Sequence, residues 1–364
     1  MSKKHQSLTR LALQKFKKNV WGVLSLVVIA LVGFIAVFAY VLAPDNSQNA
    51  NQMHISIHSQ SPGFKVLMLE LPNKSTSGQS LVSQLFFGVN NNVTEIPISN
   101  FRADGDTLYY SEFVPEGITG QEKELHIAGY SKLQYEALVK EHTFLFGTDK
   151  YGRDLLSRVL VGSRISFFIG FIAVFISLVI GIFMGSIAGY FGGKVDALIM
   201  WFINVTWSIP TLLLVIAITL ALGKGFWQVF IAVGLTMWVE VARVVRGQVM
   251  GVKELQYVTA ARALGYTDFR IIVNHVLPNI MAPVIVISAA NFAAAILIES
   301  GLSFLGIGAQ PPMASWGAMI KDHYNYIILG KPYLALIPGA CIMILVMAFM
   351  LMGNALRDAL DVKN

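Results

Sequence analysis

Charged residues are scarce in this 364-residue chain, at 13% of the sequence, where a soluble domain carries about a quarter. The shortage is concentrated in long blocks without any charged side chain, and the charges gather in the segments between them. This pattern excludes an ordinary soluble domain and indicates a multi-spanning membrane protein. Cysteine is scarcer still, because the single Cys341 excludes an intrachain disulfide.

Six blocks approach the ~20 apolar residues that a helix needs to cross a bilayer. The fourth block is short unless it continues past Glu240 toward Arg243. Lysines precede the first block, but it is longer than the apolar core of a signal peptide and no small-residue cleavage site follows, which predicts an uncleaved anchor. The blocks are Val20–Leu42, Ile165–Phe191, Ala197–Leu222, Gly225–Val239, Val276–Ile298 and Pro332–Leu356.

The distribution of Lys and Arg predicts the orientation of these spans, because short cytoplasmic segments are enriched in both. With the N-terminus inside, a basic N-terminal stretch and a basic loop between the fourth and fifth spans both face the cytoplasm. The short outer segments contain only Lys224, Lys321 and Lys331. We therefore expect both termini in the cytoplasm. This asymmetry accounts for the net charge of +6, so no nucleic-acid partner is needed to explain it.

The stretch GTDKYGRD, from Gly147 to Asp154, has the glycine spacing of a phosphate-binding P-loop. The slots for the loop lysine and the magnesium-binding hydroxyl hold Arg153 and Asp154, and a carboxylate there would repel phosphate. The predicted topology places the stretch outside the cell, away from ATP. We interpret it as a helix start capped by Thr148 or Asp149, leading into a short amphipathic helix on the membrane surface, with Asp154 and Arg158 paired at i,i+4 spacing.

Residues 44–143 form a polar, turn-rich segment that we expect to be a small β-rich extracytoplasmic insertion. His54 and His58 suggest a metal site, but in an alternating strand they lie ~13 Å apart, too far for one zinc ion, and we favour structural histidines. The end of the segment, 131–143, has the pattern of a short helix. The strand-like runs are Phe64–Leu71, Glu95–Phe101, Thr107–Phe113 and Glu124–Tyr130.

The predicted cytoplasmic loop 253–275 is too long for a simple turn. Residues 254–264 favour a helix with an apolar stripe, and Gly265 suits the position after its end, where φ is positive. Thr267 can cap a second short helix, and Pro278 suits the entry to the fifth span. Small side chains at Ala260 and Ala261 would let a partner approach closely. The alternative is a helical hairpin that packs on the protein's own spans.

Three segments of the chain resemble ABC-importer permeases and occur in the order found in that family. The order A-A-x-x-x-G followed by L-P resembles the EAA loop of that family. FGTDKYGRDLLSRVLVGSRISF and ESGLSFLGIGAQPPMASWGAMI resemble the C-type subunit of its dipeptide/oligopeptide branch. There are two departures: Thr259 stands where the family often has glutamate, and residues 44–143 have no counterpart. The residues that match the EAA loop are Ala260, Ala261, Gly265, Leu277 and Pro278.

The resemblance implies an all-α polytopic protein with six transmembrane helices in a bacterial cytoplasmic (inner) membrane. The apolar blocks predict residues 1–43 as cytoplasmic N-terminus and first span and 44–143 as the insertion, and the resemblance implies 144–364 as the permease core with coupling loop 253–275. The chain would be a non-catalytic subunit that forms a path for peptides, or for nickel or another small solute. Its partners would be a second homologous permease subunit, two cytoplasmic ATPase subunits that bind ATP and magnesium, an extracytoplasmic substrate-binding protein and membrane lipid.

The glycine-rich segment after the fifth span allows two interpretations. Irregular backbone at membrane depth survives where protein or a water-filled cavity satisfies it, so the segment could be a gate or the wall of an outer vestibule. Glu299 and Trp316 would then be candidate vestibule residues, with Glu299 facing a substrate amine. An ordinary surface loop, with Glu299 as a solvated carboxylate at a helix end, is the other interpretation.

Other classes of membrane protein fit the sequence less well. A secondary transporter needs an ionisable group near mid-membrane, and none of the six blocks has one. A membrane enzyme needs paired carboxylates, metal-spaced histidines or a Ser/His/Asp set on one membrane face, and none stands out, so we expect no catalytic, cofactor or metal site. A sensor would explain the outer segment but needs neither six spans nor a docking loop.

Overall fold

The computed structural model describes residues 8–72, 79–90, 93–104, 107–114, 120–126, 138–223 and 225–361. The chain forms two compact units, each assembled from segments that are distant in sequence. The helical unit comprises Met1–Gly33, Ser166–Gln310 and Ala340–Asn364, and the mixed unit comprises Phe34–Ile165 and Pro311–Gly339. The division of the chain into segments 1–43, 44–143 and 144–364 stays a prediction.

Helices account for most of the described residues. Long apolar sequences without interior charge favour them, and in lipid a helix satisfies its own backbone hydrogen bonds. In chain order the helices are α1 (Leu8–Lys18), α2 (Val20–Val37), α3 (Ala39–Leu42), α4 (Leu81–Phe87), α5 (Leu155–Phe191), α6 (Gly193–Ser208), α7 (Thr211–Leu222), α8 (Phe226–Val252), α9 (Gln256–Ala263), α10 (Asp268–Ile271), α11 (Leu277–Phe304), α12 (Trp316–His323) and α13 (Tyr333–Leu360).

Within the described ranges, five helical segments are long and apolar enough to cross a membrane. They are α2, α5, α8, the segment Asp268–Phe304 and α13. The third predicted block is not one straight helix: α6 and α7 are bent by 93° at Ile209 and Pro210, and they make a sixth span only if the pair is counted as one. Pro210 lacks a backbone N–H and restricts the residue before it, which explains the break.

Of two further expectations about the spans, one is confirmed and one is wrong. The fourth block does continue past Glu240, since α8 runs for 27 residues to Val252. The separate surface helix expected after GTDKYGRD is wrong, because residues 155–165 continue without a break into the 37-residue α5.

Glycines on α5 bring its backbone close to α8 in the helical unit. Gly181, Gly185 and Gly189 recur every four residues, so they share one face of the helix. A Cβ built on each would lie 2.5–2.8 Å from the nearest atoms of α8, including backbone carbonyl oxygens. Small residues at this spacing allow the close helix packing that stabilises membrane bundles. The facing row on α8 is Val241, Val245 and Val249, all fully buried.

The mixed unit contains a five-stranded antiparallel sheet in the order β4-β3-β2-β1-β5. One face carries a core around Leu69, Ile98 and Leu108, and the other a core around Ile57 and Met68. A β-rich segment was expected here and is present. The strands are β1 (Phe64–Pro72), β2 (Val93–Asp104), β3 (Thr107–Glu112), β4 (Glu122–His126) and β5 (Val139–Phe144).

The helix predicted over 131–143 is wrong for the part that the structure describes. Residues 139–144 form β5, which pairs with β1 in the register Phe64↔Phe144 to Leu69↔Val139. Pairing closes an edge of β1 and buries Phe144, so long-range contacts override the local helix pattern. Residues 131–137, and the end of the predicted strand beyond His126, lie outside the described residues.

The GTDKYGRD loop is tied to the backbone of residues 54–60. The amide N–H of Gln60 donates to Thr148 Oγ1 at 2.8 Å, and those of Ser59 and His54 donate to the carbonyl oxygens of Asp149 and Tyr151. Gly147 and Gly152 have φ of +76° and +73°. A Cβ on Gly152 would lie 1.8 Å from the carbonyl oxygen of His54. The glycine spacing that resembles a P-loop therefore serves this close backbone contact.

The buried Asp149 organises the same loop from inside. Its carboxylate accepts N–H groups from Tyr151 and Arg153 and forms an ion pair of 2.6 Å with the Arg153 guanidinium. Arg158 approaches it to 3.7 Å, so the predicted Asp154–Arg158 pair does not form. Asp154 instead caps α5 by accepting the N–H of Ser157 at 2.8 Å. The cap is therefore Asp154, and not Thr148 or Asp149 as expected.

His323 holds the other side of the loop. Burial lowers the pKa of His323 and favours the neutral ring. Its Nδ1 lies 2.7 Å from the carbonyl oxygen of Met319, and its Nε2 accepts the N–H of Lys150 at 3.3 Å. The Lys150 ammonium also pairs with Asp322 at 3.0 Å. No local sequence pattern predicts this contact, because it joins residues that are 173 positions apart.

We predict that Gly185→Ala destabilises the helical unit and that Gly247→Ala does not. A Cβ on Gly185 would lie 2.5 Å from the carbonyl oxygen of Ala242, whereas one on Gly247 would meet nothing within 4 Å. Overpacking costs about 1–3 kcal/mol, while alanine in an open helical position gains roughly 1 kcal/mol over glycine. The Tm of the detergent-purified chain should fall for Gly185→Ala and hold or rise for Gly247→Ala. Equal changes in Tm would contradict the close-packing argument.

We predict a similar contrast in the mixed unit between Gly152→Ala and Gly63→Ala. Both glycines have positive φ, +73° and +80°, so both variants carry a conformational cost on the order of 1 kcal/mol. Only Gly152 abuts backbone, because nothing lies within 4 Å of a Cβ on Gly63. Gly152→Ala should therefore increase proteolytic cleavage of residues 44–62 far more than Gly63→Ala. Equal cleavage of the two variants would show that the loop does not hold this segment.

Candidate functional site

The 253–275 loop follows α8 and contains one short helix, α9, with a well-defined end. Leu264 is the last half-helical residue, and Gly265 follows with φ of +78°. The N–H of Gly265 donates to Arg262 O at 3.0 Å, and that of Tyr266 donates to Ala261 O at 3.2 Å. These two bonds form a Schellman motif. The prediction that Gly265 takes a positive φ after a helix is confirmed.

The second short helix expected in the loop is the start of a span. Thr267 occupies the predicted N-cap position of α10, which continues through a π-helical turn, Ile272–Val276, into α11. Pro278 stands at the first turn of α11. Proline offers no N–H and clashes with the carbonyl four residues earlier. This explains why the helical hydrogen-bond pattern changes to a π turn just before Pro278. The loop is therefore one short helix and a turn set on a long helix.

Side chains and backbone tie the 253–275 loop to the end of α5. The Tyr190 hydroxyl donates to Asp268 Oδ1 at 2.7 Å and accepts from Arg262 at 3.5 Å. The Lys253 ammonium donates to the carbonyl oxygen of Gly189 at 2.9 Å, where a cation also complements the C-terminal end of the helix dipole. Tyr190 therefore connects both arms of the loop to α5.

The six predicted loop residues divide between inner and outer faces. Thr259, Ala260, Gly265 and Pro278 are exposed, and Leu277 is half-buried. Ala261 is buried in a core with Val258, Ile271 and Val276. The expectation that both alanines face a partner is therefore wrong for Ala261. On a helix, adjacent residues point in directions ~100° apart, so the two cannot share one contact face.

The loop exposes a pair of large apolar side chains that we call the apolar tip, Leu264 and Phe269. They are 74% and 78% exposed, on either side of the turn at Gly265. The apolar stripe predicted over residues 254–264 consists of Leu255, Val258, Ala261 and Leu264, at helical spacing. Leu264 instead points outward at the turn, and the sequence pattern did not predict the exposure of Phe269. The exposure of Leu264 could have been inferred from its position directly before the C′ glycine.

The two candidate vestibule residues lie inside their respective units. In the helical unit Glu299 is 1% exposed, and its carboxylate accepts from Ser303 at 2.7 Å and from Ser166 and Ser300 at 3.5 Å. It is not a solvated helix end, because α11 continues to Phe304. In the mixed unit the Trp316 indole is buried and donates to Val159 O at 2.9 Å. Neither side chain lines an open surface of its own unit.

The two histidines weighed as metal ligands do not lie in a strand. His54 and His58 flank a 3₁₀ turn, Ile55–Ile57, so the separation derived from strand geometry does not apply. His54 Nε2 instead lies 3.4 Å from Glu95. Among the described residues, no three His, Cys, Asp or Glu side chains are placed to hold one metal ion.

Comparison with known proteins places this architecture in a family. Residues 164–363 match the model of the binding-protein-dependent transport system inner membrane component. Residues 7–62 match the N-terminal transmembrane domain of oligopeptide transport permease C, which covers the start of the 44–143 segment. A methionine transporter structure, MetNI in an inward-facing conformation, is 18% identical with a TM-score of 0.46, over 56% of this chain and 95% of that one. That likeness is too distant to carry an argument.

Curated relatives are considerably more similar. The dipeptide transport permease DppC of Bacillus subtilis is 43% identical over 60% of this chain and 68% of that protein. The oligopeptide permease OppC of Haemophilus influenzae is 41% identical over 60% and 70%, and the glutathione permease GsiD of Pectobacterium atrosepticum is 39% identical over 60% and 72%. The chain therefore belongs to the binding-protein-dependent transport inner-membrane family, as a permease subunit of an ABC importer.

Proposed function

We propose that this chain is the C-type subunit of a peptide importer and forms its translocation path with a second homologous permease subunit. Relatives named for dipeptides, oligopeptides and glutathione support a peptide cargo. A substrate-binding protein delivers the cargo from outside, and two cytoplasmic ATPase subunits bind ATP and magnesium. The chain itself performs no catalysis.

The exposure of the apolar tip supports the proposal that the 253–275 loop binds an ATPase subunit. Two large apolar side chains with more than two thirds of their surface exposed mark a contact site when they project from a small, polar loop. A groove that accepts an apolar anchor surrounded by small residues would bury Leu264 and Phe269, with Ala260 and Gly265 in close approach. Ala261, Val258 and Ile271 hold the tip from behind.

Force at the tip would pass directly to the spans. The Tyr190 and Lys253 contacts tie the loop to α5, and the π turn joins it to α11 without a flexible linker. Because buried packing resists deformation, displacement of the tip moves helices rather than only the loop. Thr259, which stands at the glutamate position of the family motif, is also exposed.

The proposed topology has six crossings, with both termini and the 253–275 loop in the cytoplasm and the β-sheet outside. The sixth crossing is the bent pair. At 1.5 Å per residue, α6 and α7 are ~24 and ~18 Å long, each shorter than the ~30 Å hydrocarbon core. At their near-right angle they span about 30 Å end to end, so the pair can cross while neither helix can alone.

Removing the apolar tip should uncouple the permease from its ATPase subunits. Because Leu264 and Phe269 are exposed, Leu264→Ala and Phe269→Ala should leave the Tm of the isolated chain unchanged. Loss of a buried interface anchor weakens binding by about tenfold or more, so ATPase pull-down and peptide-stimulated ATP hydrolysis should both drop. Ile328→Ala is the matched control, since Ile328 is 89% exposed but lies in the mixed unit.

Full ATPase binding by the Leu264/Phe269 double variant would contradict the docking role. Ala261→Asp is not a suitable test of docking, because it would place a carboxylate in the chain's own core, where an unpaired charge is strongly disfavoured. A loss of binding in that variant would report a folding defect.

Thiol labelling should decide the topology and the role of the bent pair. In a Cys341→Ser background, Lys123→Cys on β4 should react with an impermeant reagent applied to spheroplasts. Thr267→Cys in the 253–275 loop should react only after permeabilisation. If α6 and α7 entered and left on one side, α8 would cross in the opposite direction. The loop would then face the same side as the sheet, and both cysteines would label from outside.

A further inference from the structure

The helical unit contains a cavity of about 180 Å³ at the bend between α6 and α7, where both helices face α8 and α11. Its wall includes Trp207 and Ile209 at the break and hydroxyls from Thr206, Thr211 and Thr236. One carboxylate, that of Glu240, also lines it. At ~30 Å³ per water, this volume holds about six waters or one small polar group with its first shell.

Glu240 lies deep within a membrane-length helix. It is 14 residues after Phe226, the first residue of the 27-residue α8, so it stands ~21 Å along that helix. Large exposed side chains that line the same cavity, Trp207 and Ile209, are apolar or aromatic. A carboxylate facing lipid at such a depth costs several kcal/mol, and intramembrane ionisable groups therefore face water or a partner.

Glu240 makes no hydrogen bond or ion pair with any residue in the described part of the chain. Arg243 is the cation one turn away, but its guanidinium stacks on the Trp207 ring at 3.4 Å and donates to Asn204 at 2.8 Å. The charge is exposed to the cavity and free to take a cation.

The remaining wall is suited to an ammonium group. The bend ends α6 at Ser208 and α7 begins at Thr211, so the last carbonyl groups of α6 and the first N–H groups of α7 both lie at the break. The two helix dipoles offset each other there, and it is the carbonyl oxygens of α6 that can accept from a cation. An ammonium carries three donors and no acceptor. A carboxylate, threonine oxygens and helix-end carbonyls supply acceptors for all three. Broken helices at membrane depth bind cations in this way in other transporters.

We propose that this cavity binds the terminal ammonium group of the peptide during its passage, with Glu240 as the counter-charge. The proposal rests on the proposed function, since it requires a peptide path beside α8. It adds a discrimination within the permease itself: a cargo with a free amino terminus passes in preference to one whose terminus is blocked.

The first test is transport by the complete complex in proteoliposomes, with its ATPase subunits and binding protein. Uptake of trialanine and of N-acetyl-trialanine is compared at concentrations that saturate the isolated binding protein, so that its own preference is held constant. Glu240→Gln should slow trialanine uptake about tenfold, the size expected when a charged hydrogen bond is lost. It should also bring the ratio of the two peptides close to one, while Glu240→Asp keeps part of the preference.

Asp358→Asn is the matched control, because Asp358 is an exposed carboxylate of the same unit outside the cavity. It should keep the wild-type ratio. An unchanged ratio in Glu240→Gln, with wild-type uptake intact, would overturn the inference and leave the proposed function standing. Absence of trialanine uptake by the wild-type complex would instead overturn the proposed function, and the inference with it.

The second test asks whether the cavity is open to water in the assembly. In the Cys341→Ser background, Glu240→Cys should react with a small cationic thiol reagent, and trialanine supplied during turnover should slow the reaction. A cysteine that stays unreactive in the resting, ATP-bound and turnover states would place position 240 against lipid or the second permease subunit. That result would overturn the site.

Discussion

Close contact between the glycine row of α5 and the valine row of α8 is the constraint on which the helical unit depends. Lipid tails are as apolar as valine, so burial alone does not hold two helices together in a bilayer. Contact energy then comes from van der Waals packing, which is strong only where backbones approach. Gly181, Gly185 and Gly189 permit that approach, and each contact excludes even a methyl group.

The same contact determines where the 253–275 loop sits. Gly189 is the last glycine of the row, and Tyr190 follows it, so close packing at Val249 brings the Tyr190 ring to the 253–275 loop. The Lys253 ammonium binds the Gly189 carbonyl directly. A loop that projects an apolar tip can transmit force only if its base is rigid. Here the base is the close contact of Gly189 on α5 with Arg246 and Val249 on α8.

Sequence reasoning succeeded where one residue type has one physical role. Charge-free blocks marked the spans, and Gly265 marked a helix end because few other residues adopt positive φ. It failed where burial depends on a distant partner. Ala260 and Ala261 are identical in sequence terms, and only the packing of α9 on Ile271 and Val276 separates them. Likewise residues 139–144 form a strand because they pair with β1, and the burial of Glu299, which accepts from Ser166 on another helix, has no local sequence signal.

The position of Glu240 inside α8 shows a more general limit of span prediction. A search for charge-free blocks ends each block at the first charged residue, so it cannot find a charge inside a span. By this criterion the fourth block ends at Val239. The absence of ionisable groups from the blocks was then an argument against ion-coupled transport. Since α8 continues for a further 13 residues beyond Val239, the charge-free blocks by themselves do not exclude ion-coupled transport. The family match excludes a secondary transporter on independent grounds. The carboxylate must therefore be explained within an ATP-driven permease, where its most direct use is to meet a cation on the cargo.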